Sequence, residues 1–239
     1  NRDIPAHQAS RRLLIMKQLR QYIRQVLLTE AAKTPADIGD MVVEIKFTPG
    51  EWIAVSLWDK PLKNNELAAS FGEEYTGFKT MVGEVHAEKA ARVTGDCSGA
   101  YEIVWTNAEG APGFGPMLYD IAMELAGDDG LMCDRGTVSK EATRVWEYYL
   151  NNRPDVITKQ LDDRKNPFLQ DPGKNDPSDD CGQRTFRKKT KRIFKPESSS
   201  SSAGFKDEFL NHWSTKVYVK TSGTPILDEL EAAGKVTRK

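Results

Sequence analysis

The sequence predicts an α/β fold, a mixed and mainly antiparallel central sheet flanked by helices. Three observations carry that prediction. The runs MVVEIKF (41–47) and WIAVSLW (52–58) flank Thr48-Pro49-Gly50, a turn signal between two β-branched segments. The segment 101–150 reads as a strand, a glycine-rich turn, a helix, a short apolar strand and a second amphipathic helix. The alternating run WSTKVYVK (213–220) supplies a last strand.

Bulk properties narrow the class. At 239 residues the chain can build one substantial core. Hydrophobic content of 38% beside 29% charged residues indicates a soluble protein. No apolar run approaches the roughly 20 residues of a membrane span. A net charge of −1 argues against nucleic acid as a partner of the whole molecule. Cys97, Cys133 and Cys181 are widely spaced and lack a CxxC pair, so free thiols in a reducing compartment are expected. No zinc spacing is present, and His7, His86 and His212 supply none; no metal is expected.

In chain order, residues 1–34 hold an amphipathic basic helix at 11–30. Leu19, Tyr22, Ile23, Val26 and Leu27 recur at helical spacing, with Lys17, Arg20 and Arg24 on the other face. Residues 41–160 form the core of the fold, with the two strands above, a loop and short helix around Glu66–Phe71, and strands at 80–87 and 100–107. Pro116–Ala126 is a helix whose Pro116 suits the first turn, and Leu118, Ile121, Ala122 and Leu125 make its apolar stripe. GLMCDRG (130–136) is the short strand and 139–152 the second helix. Residues 161–205 are an irregular charged insertion. Within it seven of the twelve residues from 184 to 195 are Lys or Arg, but upstream aspartates can neutralise them. Residues 206–239 give the final strand and a short helix ended by Gly234.

The turn Gly113-Phe114-Gly115 opening a helix can cradle a phosphate. Glycines admit close backbone approach, and the first helical N–H groups lack partners. This arrangement resembles the cofactor half of the GNAT acyl-CoA N-acyltransferases, whose Q/R-x-x-G-x-G/A signature holds the acyl-CoA pyrophosphate. Gly113 and Gly115 match its small positions, while Gly110 stands where the family carries Arg or Gln. Ala142 matches the helix that follows, but Trp146 occupies the place of a Tyr. The resemblance implies acetyl-CoA as co-substrate, held around Gly110, Gly113, Phe114, Gly115, Pro116 and Met117. It also implies an amine acceptor, a base (Glu84 or Glu102) and a tyrosine proton donor (Tyr148 or Tyr149, with Tyr119 nearby).

A second resemblance concerns LRQYIRQVLLTEAA. It is similar to N-terminal helices of proteins from large tailed bacteriophages of the T-even type and their marine relatives. Leu28-Thr29-Glu30 fits the Leu/Ile-x-Glu site of their head-maturation proteases. That implies a phage-encoded protein, in the cytoplasm of the infected cell or in the virion. Phage head proteins would be partners through the 11–30 helix. The leading expectation is an acyl-CoA-dependent N-acetyltransferase; the alternative is a non-catalytic virion or internal head protein on the same fold.

Overall fold

The computed structural model describes residues 32–59, 80–91, 93–134, 137–162, 181–183, 208 and 210–239. The 11–30 helix with its Leu28-Thr29-Glu30 site, the short helix near 66–71 and the basic segment 184–195 lie outside the described residues. Ten strands are β1 (Val42–Thr48), β2 (Trp52–Trp58), β3 (Met81–Lys89), β4 (Val93–Thr94), β5 (Tyr101–Asn107), β6 (Leu131–Met132), β7 (Val156–Asp162), β8 (Cys181–Gln183), β9 (Lys216–Lys220) and β10 (Val236–Arg238). Three α-helices among the described residues are α1 (Gly115–Ala126), α2 (Lys140–Asn152) and α3 (Pro225–Ala232).

The strand order is β10-β1-β2-β3-β5-β6-β9-β7-β8-β4. Neighbours are antiparallel except β1/β10, β5/β6 and β7/β8. The sheet is therefore mixed and mostly antiparallel, with helices against it. The hairpin β1–β2 closes where Thr48 faces Trp52, around Gly50 at φ +75°. A positive φ is the conformation that glycine adopts without strain.

Strict alternation sets which face is core. Ile53, Val55 and Leu57 of β2 are fully buried while Trp52, Ala54, Ser56 and Trp58 are half-buried. On β3, Gly83, Val85 and Ala87 are buried and Val82, Glu84 and His86 half-buried. Helix α1 lies on that buried face. A Cβ at Gly83 would stand 3.1 Å from Leu118 Cδ1, so the glycine lets helix and strand approach. Nine of the twelve α1 residues are buried, Asp120 and Glu124 among them, so this helix runs through the core and its acids need partners. Arg153 pairs with Asp120 at 3.1 Å, and Lys220 pairs with Glu124.

Ser139 caps α2 by accepting from the Ala142 amide at 3.1 Å. Ala142, Trp146 and Tyr149 form its buried stripe. Trp146 sits among Tyr119, Tyr149 and Tyr218, with ring centroids 5.2, 6.0 and 4.9 Å away.

The structure departs from the sequence expectations at several places. The 130–136 strand is only Leu131–Met132, because β6 leaves its neighbours at once. Residues 213–215 form a 3-10 turn before β9 begins. Beyond α3, Gly234 at φ +66° reverses the chain into β10, which the tail's polarity conceals. The stretch that reads as an irregular insertion begins with the end of β7 and contains β8. Cys97 is disulfide-bonded, correcting the expectation of free thiols; linear spacing carries no trace of a pairing that the fold creates. Among the described cysteines Cys133 is a buried thiol outside any disulfide. No described helix is long and apolar enough to cross a membrane.

Candidate functional site

The parallel pair β5/β6 opens a cleft. The strands pair only at Tyr101–Leu131 and Glu102–Met132. Beyond Met132 the β6 side ends, while β5 continues to Asn107 with an irregularity opposite His86 and Ala87 that leaves Val104 outside the register. The gap is a cleft of about 1650 Å³ between Ile103–Ala108, the 112–119 turn, α2 and the 211–213 segment.

The glycine turn forms one wall. Asn107 Oδ1 accepts from the Glu109 amide (2.9 Å), and the Ala108 and Ala111 carbonyls accept from Ala111 and Phe114 (3.0 and 3.1 Å). Gly113, at φ +87°, then delivers the chain into α1 and gives its carbonyl to the Lys33 amide at 2.9 Å. The amides of Gly113, Gly115 and Met117 have no acceptor among the described residues. They sit at the positive end of α1, whose first turn carries no acid. Gly110 has a steric reason of its own. A Cβ there would meet Val82 Cα and the Val82 carbonyl at 2.9 Å, so an Arg or Gln does not fit without moving β3.

The candidate residues divide between cleft and surroundings. Gly113, Gly115, Pro116 and Tyr148 line the cleft. Phe114 and Met117 are buried beneath the turn, and Gly110 packs on β3 rather than the cleft wall. Tyr149 is buried away from it, its hydroxyl donating to the Pro116 carbonyl at 3.0 Å. Glu84 and Glu102 are absent from the lining: Glu84 lies one strand inward on β3, Glu102 lies where β5 still pairs with β6, and both project from the sheet face opposite α1. The carboxylates that do line it are Glu109, Asp134, Glu141 and Glu147, beside one guanidinium, Arg144.

The sequence offered none of Thr106, Trp105, His212 and Trp213 as site residues, yet all four line the cleft. The first two border the cleft because β5 runs on beyond the end of β6, so both faces of its free edge line the gap. The last two arrive from sixty residues beyond α2, with no local signal. His212 accepts the Ser214 amide at 3.2 Å through Nδ1, which caps the 213–215 turn.

Electrostatics separate the tyrosines. Burial pushes the Tyr119 hydroxyl up to about 12; a Thr106 hydrogen bond pulls the other way, and Cys133 and Asp134 add to the rise. Burial also raises Tyr149 well above its ordinary value, with Asp120 reinforcing it. Both remain neutral donors near pH 7. Asp120 is raised by burial despite Arg153, while Asp155 is lowered by its hydrogen bonds to Arg153 at 2.7 Å.

A pH prediction follows for Tyr119. Its folded value exceeds the unfolded one near 10, so its contribution is fully present below about pH 10. That contribution is lost as pH rises through about 12. Ultraviolet titration is expected to show a late tyrosinate class that ionises with loss of tertiary structure. A single normal class in folded protein would contradict the burial of Tyr119.

Among the described residues no group of three or more His, Cys, Asp or Glu could hold a metal ion. No family model, no curated protein and no solved structure matches this chain.

Proposed function

We propose that the cleft binds an acyl-CoA and that the protein is a GNAT-like N-acetyltransferase acting on an amine. The observation that carries this reading is the free-amide turn at Gly113–Met117 on the wall of a cleft opened by a diverging parallel pair. Amides at a helix N-terminus favour a pyrophosphate, and a cleft of about 1650 Å³ accommodates a long co-substrate. The strand order, with β9 inserted between β6 and β7, supports the same reading. Tyr148 on the α2 wall is the available proton donor to a departing thiolate, and Tyr119 a neutral hydrogen-bond donor. Glu84 and Glu102 act as base only through water or from the second face of the sheet.

Two observations favour a second reading, a non-catalytic phage virion or internal head protein on this fold. Neither carboxylate offered as base reaches the cleft. The disulfide at Cys97 suits a protein that persists outside a reducing cytosol.

Calorimetric titration with acetyl-CoA separates them. The expected result is binding in the micromolar range, roughly −8 kcal/mol, abolished by Gly113→Asp/Gly115→Asp, which sets negative charge on the amides. Folded wild-type protein that binds no acetyl-CoA would retire the enzyme reading.

A further inference from the structure

The sheet face opposite α1 is not part of the core, and its residues follow from the register. Residues directly opposed on adjacent strands share a face. Ala54, His86 and Trp105 make one row across β2, β3 and β5. The row on one side holds Ser56, Glu84 and Asn107; the row on the other holds Trp52, Glu88 and Glu102. Trp52 meets His86 edge-on, with ring centroids 5.7 Å apart. Trp105 is 55% exposed, more than any other large hydrophobic side chain among the described residues. It also lines the cleft, so the aromatic row continues into it. A small pocket of about 350 Å³ opens beside the row at Glu51, Trp52, His86, Glu88 and Lys89.

Charge selects the occupant. Glu88 directly opposes Glu102 across β3 and β5. In the row of Ser56 and Glu84, the β1 carboxylate Glu44 is neutralised by Lys46 at 3.4 Å and Lys239 at 2.6 Å. Glu84 and Glu88 take part in no ion pair among the described residues. They stand two positions either side of the His86–Trp105 row, roughly 7 Å along the strand in each direction. An exposed indole flanked by carboxylates suits a cation, which gains from the ring quadrupole and from the charges of Glu84 and Glu88. An apolar ligand would strip water from the same carboxylates without compensation.

We propose that this face binds the acceptor, a cationic amine, with an ammonium group over the Trp105 indole and Glu84 and Glu88 on either side. Its assignment as the acceptor face rests on the acyltransferase reading. The glycine-turn amides stand at the helix side of the cleft, and Trp105 brings the amine to the cleft from the other side.

The test titrates the full chain calorimetrically with spermidine, and separately with acetyl-CoA. Wild type, Trp105→Leu and Glu84→Gln/Glu88→Gln are compared, with circular dichroism to establish folding. Spermidine is expected to bind wild type and to weaken by about fivefold or more in Trp105→Leu. The double variant, whose residues lie outside the cleft lining, is expected to weaken by about tenfold, to lose most of the salt dependence and to keep acetyl-CoA binding. Should Trp105→Leu not fold, the surface glutamine variant decides. Acetyl-CoA binding without spermidine binding, or spermidine affinity unchanged in the folded variants, overturns the amine face alone. Spermidine binding without acetyl-CoA binding keeps the amine face and overturns its role as acceptor site.

Discussion

Replacing Glu124 by Ala is expected to destabilise the protein by about 3–5 kcal/mol, the cost of stranding a buried partner charge. Glu124 lies in the last turn of α1 and its side chain is fully buried, as is nearly all of Lys220. One carboxylate serves three donors. Its oxygens accept from Lys220 Nζ and from the amides of Ile226 and Leu227, at 3.1 and 2.8 Å, in the first turn of α3. The acid therefore neutralises a cation of β9 and caps a helix that begins a hundred residues later in the chain. Removing it leaves Lys220 unpaired in an apolar interior and two helical amides unsatisfied. For a chain of this length the melting temperature is expected to fall by roughly 6–20 °C.

The companion variant separates the two roles. In Glu124→Leu/Lys220→Met the buried charge is gone from both sides, and much of the loss is expected to return. A residual deficit of about 1 kcal/mol would remain for the uncapped α3 turn. Equilibrium denaturation of the two variants measures both parts. A loss below about 1 kcal/mol in Glu124→Ala would mean that the pair is solvated rather than buried.

The second large effect is expected at Trp146. Trp146→Ala should cost about 3–5 kcal/mol, since it removes the largest side chain of the core and leaves a cavity among Tyr119, Tyr149 and Tyr218. The indole both fills the core and floors the cleft. Trp146→Tyr is expected to lose less, because a phenol retains most of the ring contacts. Comparing denaturation midpoints with acetyl-CoA affinity divides the roles. Stability lost in both variants with binding lost only in Trp146→Ala would mark the cleft floor as the feature that matters for the ligand. Full stability in Trp146→Ala would contradict the packing of the cluster.

Arg153 shows how the same core governs acid behaviour. It binds Asp155 and Asp120 together, and Asp155 is held below the usual carboxylate range by those hydrogen bonds. The stability from Asp155 is present above its unfolded value near 3.9 and is lost as pH falls through the lower folded one. Asp120 behaves oppositely, since burial raises it: its contribution is present at low pH and is lost as pH rises through its folded value.

Local chemistry in the sequence determined the elements. The Pro49-Gly50 turn, the alternation of 52–58, the proline opening α1 and the Ser139 cap are short-range signals, and each marks its strand, turn or helix to within a residue or two. The cleft's glycine wall was legible for the same reason, because Gly113 and Gly115 act through their own backbone. Tertiary structure alone decided what depends on partners distant in sequence. Gly110 is a glycine because Val82 presses against it. Tyr149 is a buried strut on Pro116 while Tyr148, one residue earlier, faces the cleft, a choice made by helix rotation against the core. Glu84 and Glu102 read as strand acids near a splay, and only the register puts them on the far face beside His86 and Trp105. Periodicity tells how a segment alternates, but which of its two faces meets the core, and which segment returns to fill the gap, is set by packing across the whole sheet.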